Sequence, residues 1–230
     1  PVIPETVTQK MKDLYQEGQT AIHLNPNAFS KAGDCETYTD FFLAPFDLHD
    51  RGYNLGQYTS LANVIEYYQG SFSRRSFAAE RSYSAASLLS SFLANKETCK
   101  PNEAPLVCEI RVHKPAIMLV MVGTNDATNS SSERFEENLR LVIEIILNNK
   151  VVPVLATKAD NLEGDGRYNA VIARLAYEYE VPLWNLWRAM NALPGGGLEA
   201  DQVHHTYAKP MFDNPENMLM GWPVRNLTAL

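Results

Sequence analysis

The sequence contains few cysteines, no long hydrophobic run and no excess of positive charge. Its three cysteines are too few for a scaffold built from disulfides, and at least one of them stays unpaired. Because no stretch of 18 apolar residues occurs, we expect no membrane-spanning helix. The formal net charge of −7 argues against general nucleic-acid binding. The two short basic clusters, Arg74-Arg75 and residues 111–114, are expected to be solvated surface.

The composition predicts one globular domain covering residues 1–230. Hydrophobic residues make up 45% of the chain and charged residues 20%, which is enough apolar surface for a sizeable core and excludes a disordered chain. The first residue is Pro1 rather than Met, as expected of a processed or trimmed chain. Three scattered histidines, His23, His49 and His113, lack ligand spacing, so we expect no metal site and no cofactor.

Cys99 and Cys108 are predicted to form a disulfide. The segment between them contains two prolines and an asparagine, which favours a closed surface loop. Such a bond is typical of extracytoplasmic proteins, because disulfides rarely persist in a reducing cytosol. Two buried free thiols are the alternative. Cys35 is then the unpaired cysteine.

Strand and helix patterns alternate along most of the chain. Apolar runs of strand length predict strands at 28–32, 115–122, 151–156 and 181–186. Amphipathic stretches predict helices at 6–19, 84–95, 133–148 and 168–179, the third of them capped by Ser132. Strands that alternate with helices in this way predict an α/β fold with a parallel sheet.

Open parallel sheets carry their chemistry on the loops at the carboxyl ends of the strands. Three such loops contain Cys35, Asn125 and the segment Asp201-Gln202-Val203-His204. A thiol that attacks a carbonyl must lose its proton, an imidazole can take that proton, and a carboxylate can fix the imidazole tautomer. An asparagine amide can stabilise the oxyanion that forms. Together the three loops therefore indicate acyl-transfer chemistry.

These residues resemble the motif blocks of the SGNH hydrolases, also called GDSL-type lipases and esterases. The family's first block, Gly-Asp-Ser, corresponds to Gly33-Asp34-Cys35, with cysteine at the serine position. Its third block, Gly-x-Asn-Asp, is matched fully by Gly123-Thr124-Asn125-Asp126. Its fourth, Asp-x-x-His, is matched by Asp201-Gln202-Val203-His204. The resemblance covers roughly residues 28–206.

The resemblance implies a flavodoxin-like, three-layer α/β/α fold and the hydrolysis of acyl esters without a metal. It implies that Cys35 stands at the position of the nucleophilic serine, with His204 as the general base. Asp201 is implied as the acid that orients the imidazole. Asn125 and the backbone N–H of Cys35 are implied as donors to the oxyanion.

The family's second block, a glycine whose N–H donates to the oxyanion, has no clear match. Ser82 is the first candidate and Gly70 the weaker one. Because the block donates through its backbone, a serine can serve there, but it lacks the conformational freedom of glycine.

Cysteine at the nucleophile position leaves three interpretations open. A thiol has an ordinary pKa of about 8.5, which an adjacent histidine can lower, so Cys35 can be an active nucleophile. The longer C–S bond can instead misalign an oxyanion hole built for serine, and such misplacements cost about 10²-fold in rate. The chain is then an impaired relative that retains ligand binding. The third interpretation is an engineered exchange of serine for cysteine.

We therefore expect an extracytoplasmic carboxylic-ester hydrolase that acts on small short-acyl esters, with acetylated carbohydrate as one substrate class. The alternative is a non-catalytic module that binds a carbohydrate or acyl ligand in the same pocket. Aromatic residues after the nucleophile either line this pocket or form a packed insertion: Tyr38, Phe41, Phe42, Tyr53, Tyr58, Tyr67 and Tyr68.

Overall fold

The computed structural model describes residues 1–48 and 52–230, so His49 lies outside the described residues. The helices are α1 (Gln9–Ala21), α2 (Cys35–Tyr38), α3 (Ala62–Tyr67), α4 (Ala85–Leu89), α5 (Pro105–His113), α6 (Thr124–Asn129), α7 (Ser132–Asn148), α8 (Arg167–Tyr179), α9 (Leu186–Met190) and α10 (Gly221–Ala229). The strands are β1 (Asn25–Gly33), β2 (Pro115–Met121), β3 (Val152–Ala156) and β4 (Leu183–Trp184). None of the described helices has the length and apolar character needed to cross a membrane.

The four strands form a parallel sheet in the order β1-β2-β3-β4. Beside the end of β1, Gly33 forms a parallel bridge with Ala79 and donates its N–H to the Ala78 carbonyl at 3.0 Å. Residues 78–80 therefore occupy the place of a further strand that precedes β2 in the sequence. With that segment counted, the strand order is the 2-1-3-4-5 order of flavodoxin-like folds.

The sheet carries a hydrophobic core on each face. Met118 and Val120 of β2 pack in a core with α4, α5, α7 and α8. Leu119 and Met121, which point to the opposite face, pack with α9, α10 and residues from the segment between α2 and α4. This alternation follows from the two-residue period of a strand. The predicted three-layer α/β/α fold is therefore confirmed.

Several element boundaries differ from the prediction. The helix predicted over 6–19 is Gln9–Ala21, and the strand predicted over 181–186 is reduced to Leu183–Trp184, because Leu186 begins α9. The helix predicted over 84–95 ends at Leu89, and residues 91–93 form a separate 3-10 turn. Ser90 is extended at this break, with φ −92° and ψ 107°, in keeping with the preference of serine for caps and turns over helix interiors. The N-cap of α7 is Ser131 rather than Ser132, because the Ser131 hydroxyl accepts the backbone N–H of Arg134, three residues later.

The structure joins Cys99 to Cys108 by a disulfide. The predicted loop between them is wrong in its second half, because Pro105 starts α5 and Cys108 is buried within that helix. Proline suits the first helical turn, where its missing N–H would have no partner. In the basic cluster at 111–114, Arg111 forms an ion pair with Glu103 at 2.7 Å.

Arg74 is not the solvated surface residue that we expected. Its guanidinium lies 2.7 Å from the fully buried Glu109 carboxylate and donates to the Ser30 hydroxyl at 3.1 Å. A buried carboxylate requires such a partner, because an unpaired buried charge is costly. Of this pair, only Arg75 meets the expectation, since its side chain is more than half exposed.

Candidate active site

Strand β1 carries Cys35 to the carboxyl edge of the sheet. The strand ends at Gly33, Asp34 caps α2 by accepting the Glu36 N–H at 3.1 Å, and Cys35 is the first residue of α2. A side chain at position 33 would collide with the Met121 carbonyl, so the close contact between β1 and β2 requires glycine there. The thiol of Cys35 is half-buried in the resulting loop.

Asp201 and His204 lie on the loop between α9 and α10. His204 Nδ1 is 2.6 Å from Asp201 Oδ2. The other carboxylate oxygen accepts the backbone N–H groups of Val203 and His204 at 2.9 and 3.0 Å. The second ring nitrogen, His204 Nε2, lies 3.9 Å from Cys35 Sγ. The thiol, the imidazole and the carboxylate thus lie in a row.

The surroundings of Asp201, His204 and Cys35 shift their pKa values by different causes. The hydrogen bond to His204 lowers the pKa of Asp201 to about 2, and the same bond raises the pKa of His204 above its ordinary 6.5. Burial, followed by the negative charges of Asp34 and Glu36, raises the pKa of Cys35 to about 11. The thiol is therefore protonated at neutral pH, and its contact with His204 joins a neutral thiol to an imidazole.

Asn125 and Ser82 lie on two loops that meet. Asn125 follows β2 and donates from Nδ2 to the Tyr83 carbonyl at 2.9 Å. Ser82 has φ +63°, the left-handed conformation that favours glycine. Within residues 1–48 and 52–230, no acceptor binds the Ser82 N–H. The N–H of Gly70, the weaker candidate, is taken by Asp47 Oδ1 at 2.9 Å.

Asp126, the last residue of the third motif, links these loops. Both of its carboxylate oxygens accept the N–H of Ala85, at 3.1 and 3.2 Å. Burial raises the pKa of Asp126 to about 6. Because Ala85 begins α4, this contact holds the segment that contains Ser82 next to the one that contains Asn125.

Three buried polar residues close to the Cys35–His204 contact were not predicted from the sequence. His205 Nδ1 is hydrogen-bonded to Glu36 Oε2, and the buried Arg225 on α10 adds a positive charge. Burial alone would raise the pKa of Glu36, but the His205 hydrogen bond and the Arg225 charge lower it. An ionised carboxylate only accepts, so Nδ1 of His205 donates. The one sequence signal is the doublet His204-His205 itself.

Two groups of side chains with metal-ligand atoms occur in the described part of the chain. Ligand atoms of Cys35, Glu36 and His204 lie within 4.8 Å of one another. The Glu36 carboxylate, however, is engaged by His205. The second cluster in the described part of the chain combines Glu103 with the two disulfide sulfurs, which cannot act as thiolate ligands.

Most of the aromatic residues that follow Cys35 pack in or against the hydrophobic core. Phe42 is fully buried, and Tyr58 and Tyr68 line an apolar cavity of about 1050 Å³ on the face of the sheet opposite α7. Phe41 and Tyr67 differ, since each is 43% exposed. The Phe41 ring lies 4.8 Å from the exposed ring of Tyr207, measured between ring centroids. These two rings border a separate cavity of about 230 Å³.

The structure is similar to solved esterase structures. A variant of Axe2, an acetylxylan esterase from Geobacillus stearothermophilus, aligns with a TM-score of 0.54 and 15% identity over 88% of this chain and 92% of that one. The psychrotrophic esterase EstA from Pseudoalteromonas sp. aligns with a TM-score of 0.53 and 10% identity over 88% and 94%. These likenesses show the fold. No curated protein sequence matches the chain. Since the model of the GDSL-like lipase/acylhydrolase family matches residues 15–208, the chain belongs to that family.

Proposed function

We propose that the protein hydrolyses carboxylic esters, with Cys35 as nucleophile, His204 as general base and Asp201 as the residue that orients the imidazole. One observation carries this proposal: His204 contacts Cys35 Sγ through Nε2 at 3.9 Å and Asp201 through Nδ1 at 2.6 Å. An imidazole held at one nitrogen by a carboxylate has its other nitrogen free to accept a proton. This arrangement supports acyl transfer through a covalent intermediate.

The first half of the reaction forms a thioester. His204 Nε2 takes the thiol proton while the sulfur of Cys35 attacks the ester carbonyl carbon. When the tetrahedral intermediate collapses, the C–O bond to the alcohol breaks and the imidazolium donates its proton to the departing oxygen. In the second half, Nε2 takes a proton from water, whose oxygen attacks the thioester. The C–S bond then breaks and the thiol is restored as the acid leaves.

The proposed donors to the oxyanion are the backbone N–H groups of Cys35 and Ser82 and the side-chain amide of Asn125. Cys35 is the first residue of α2, where an N–H has no partner within the helix. Asn125 Nδ2 uses one hydrogen for the Tyr83 carbonyl and has a second one available. Each such donor contributes about 10²-fold or more to the rate of acyl transfer.

The environment of the thiol predicts a slow enzyme. With the pKa of Cys35 raised to about 11, no thiolate stands ready at neutral pH, and the proton must move to His204 during the attack. The same observation favours a second candidate function, an impaired family member that binds a carbohydrate or acyl ligand. The two functions differ in whether Cys35 supports turnover.

The proposed substrates are short-acyl esters, with acetylated carbohydrate as the leading class. Axe2, which shares the fold, is an acetylxylan esterase. Phe41 lies six residues after Cys35 and Tyr207 three residues after His204, and both rings are exposed beside a cavity of about 230 Å³. Exposed aromatic rings next to a cleft are a common feature of ligand-binding sites.

Hydrolysis of p-nitrophenyl acetate tests the proposal. We expect a measurable rate for the wild type, and a loss of at least about 100-fold in kcat/KM for Cys35→Ala, because the covalent route is removed. Cys35→Ser is the matched variant, since it keeps the shape of the side chain. Equal background rates for all three proteins would contradict the esterase function and support the binding module. Activity in Cys35→Ser alone would identify the thiol as the defect.

We also propose that the protein functions outside the cytoplasm. The support is the Cys99–Cys108 disulfide, a bond that persists in oxidising compartments. A thiol titration of the denatured, unreduced protein from its native source is expected to give one thiol per chain, that of Cys35. Three thiols per chain would remove the support for export.

A further inference from the structure

We propose that the buried hydrogen bond between Glu36 and His205 positions His204 at the Cys35 sulfur, which makes Glu36 and His205 positioning residues. Cys35 and Glu36, which are consecutive on α2, contact His204 and His205, which are consecutive on the loop between α9 and α10. Cys35 Sγ lies 3.9 Å from His204 Nε2, and the next residue on each side forms the Glu36–His205 bond. The kinetic test of this inference rests on the proposed function, and a second test below does not.

The loop that carries His204 is held to the rest of the protein from one side. Leu198 and His205 form an antiparallel bridge, and the Glu199 N–H donates to the His204 carbonyl at 2.7 Å, so the loop closes on itself. His205 is the one buried side chain among residues 198–206. The orientation of the loop therefore depends on the His205 imidazole and on the adjacent Thr206, whose hydroxyl and carbonyl accept the N–H groups of Gly221 and Trp222 at 2.7 and 3.1 Å.

The His205 imidazole is fixed by two elements in addition to its own loop. Glu36 on α2 accepts its Nδ1–H, and the Trp222 ring on α10 lies 5.1 Å away between centroids. Gly221 packs so closely that a Cβ there would stand 3.0 Å from the His205 Cβ. The Arg225 charge, also on α10, keeps Glu36 ionised and thus an acceptor. Helices α2 and α10 therefore clamp this ring.

The catalytic contact is sensitive to the clamp because it is already long. At 3.9 Å, the distance from the sulfur to His204 Nε2 leaves little room for a further shift before proton transfer is lost. A displacement of about 1 Å at a reacting group can cost about 10²-fold in rate. The other described hydrogen bonds of His204, to Asp201 and from the Glu199 N–H, lie within the same loop and move with it.

The kinetic test compares two amides at position 205. In His205→Asn the side-chain NH₂ stands where Nδ1 stands and can still donate to Glu36, whereas in His205→Gln it stands where Nε2 stands. We expect His205→Asn to keep kcat on p-nitrophenyl acetate within about 3-fold of the wild type, and His205→Gln to lower it about 30-fold or more. KM is expected to change by less than about 3-fold in both, because neither variant alters substrate contacts.

Two kinetic outcomes would overturn the inference. Equal kcat values for His205→Asn and His205→Gln, with both proteins folded by circular dichroism, would show that a donor at the Nδ1 position has no role. A change confined to KM would assign His205 to substrate binding instead. Loss of fold in both variants at 25 °C would make His205 a residue of overall stability rather than of alignment.

The second test uses thiol reactivity and needs no turnover. With Cys99 and Cys108 in a disulfide, Cys35 is the single free thiol, so alkylation by iodoacetamide reports on it alone. We expect His204→Ala to slow alkylation at pH 7.5 about 5-fold in the wild-type background and less than about 2-fold in the His205→Gln background, since the clamp couples the two sites.

The two tests separate the inference from the proposed function. Equal slowing by His204→Ala in both backgrounds would overturn the positioning role. Coupling in the alkylation rates together with an inactive wild type would leave the positioning role standing and remove the esterase function. Esterase activity that is unchanged in His205→Gln would remove the positioning role and leave the esterase function standing.

Discussion

Two histidine–carboxylate pairs lie side by side in this protein and differ in their exposure to solvent. In the outer pair, the His204 and Asp201 side chains are 53% and 50% exposed. In the inner pair, the His205 and Glu36 side chains are 2% and 10% exposed. In the outer pair, the shared hydrogen bond is the leading cause of both pKa shifts. In the inner pair, burial lowers the pKa of His205, whereas the pKa of Glu36 is lowered against the effect of burial by the His205 hydrogen bond and the Arg225 charge.

The difference shows how one contact type can serve two purposes. The outer pair can gain or lose a proton in contact with water, as a general base requires. The inner pair cannot change its charge without leaving an uncompensated ion in the protein interior, which costs several kcal/mol. The exposed pair is therefore suited to proton transfer and the buried pair to holding the loop in place.

Deleting the carboxylate from each pair should give the largest contrast. Glu36→Ala leaves the buried His205 N–H without its acceptor and removes one of the two carboxylates near the buried Arg225 guanidinium, and we expect it to lower the free energy of unfolding by about 3–5 kcal/mol. Asp201→Ala, the matched variant, should cost much less because exposed ion pairs contribute little to stability. Urea denaturation of both proteins measures the difference. Equal losses in the free energy of unfolding would contradict the expectation that the buried pair contributes more to stability than the exposed pair.

Exchanging the outer carboxylate for an amide should shift the pH dependence of activity. In the proposed mechanism His204 must be neutral to accept the thiol proton, so we expect kcat/KM to fall as the pH drops through the pKa of its imidazole. The Asp201 hydrogen bond raises that pKa above 6.5, and Asp201→Asn should move the acid limb to lower pH. We also expect a loss of about 10-fold or more in kcat. An acid limb that stays in place would contradict the role of Asp201.

The two imidazoles should titrate on opposite sides of the ordinary histidine value. The pKa of His204 is raised above 6.5 by its hydrogen bond to Asp201, and that of His205 is lowered below 6.5 by burial. Histidine ring signals followed by NMR between pH 4 and 9 should show this order, with assignments from His204→Gln. A reversed order would show that the buried ring carries the charge.

The sequence is informative where contacts are local or follow from periodicity. The runs at 115–122 and 151–156 are apolar throughout, as strands buried on both faces require, and both form central strands of the sheet. The Asp201–His204 contact spans three residues, so the spacing alone brings carboxylate and imidazole within reach of each other. The family assignment, made from the motifs, is confirmed by the match over residues 15–208.

Contacts between segments that are far apart in the sequence could not be predicted. Glu36 and His205 are separated by 169 residues, and nothing in either neighbourhood marks them as partners. The ion pair between Arg74 and the buried Glu109 was not predicted for the same reason, since the two residues are 35 positions apart. The left-handed backbone of Ser82 could not be predicted, since serine rarely adopts that conformation without tertiary support.

The separation of 169 residues between Cys35 and His204 also has a consequence for folding. Closing so long a loop costs chain entropy that only the assembled sheet and its helices can offset, and contacts of high sequence separation form slowly. The thiol and the imidazole therefore meet only when the intervening strands have docked. During refolding, a change in the reactivity of this thiol therefore reports on the assembly of the whole sheet rather than on the formation of any single helix.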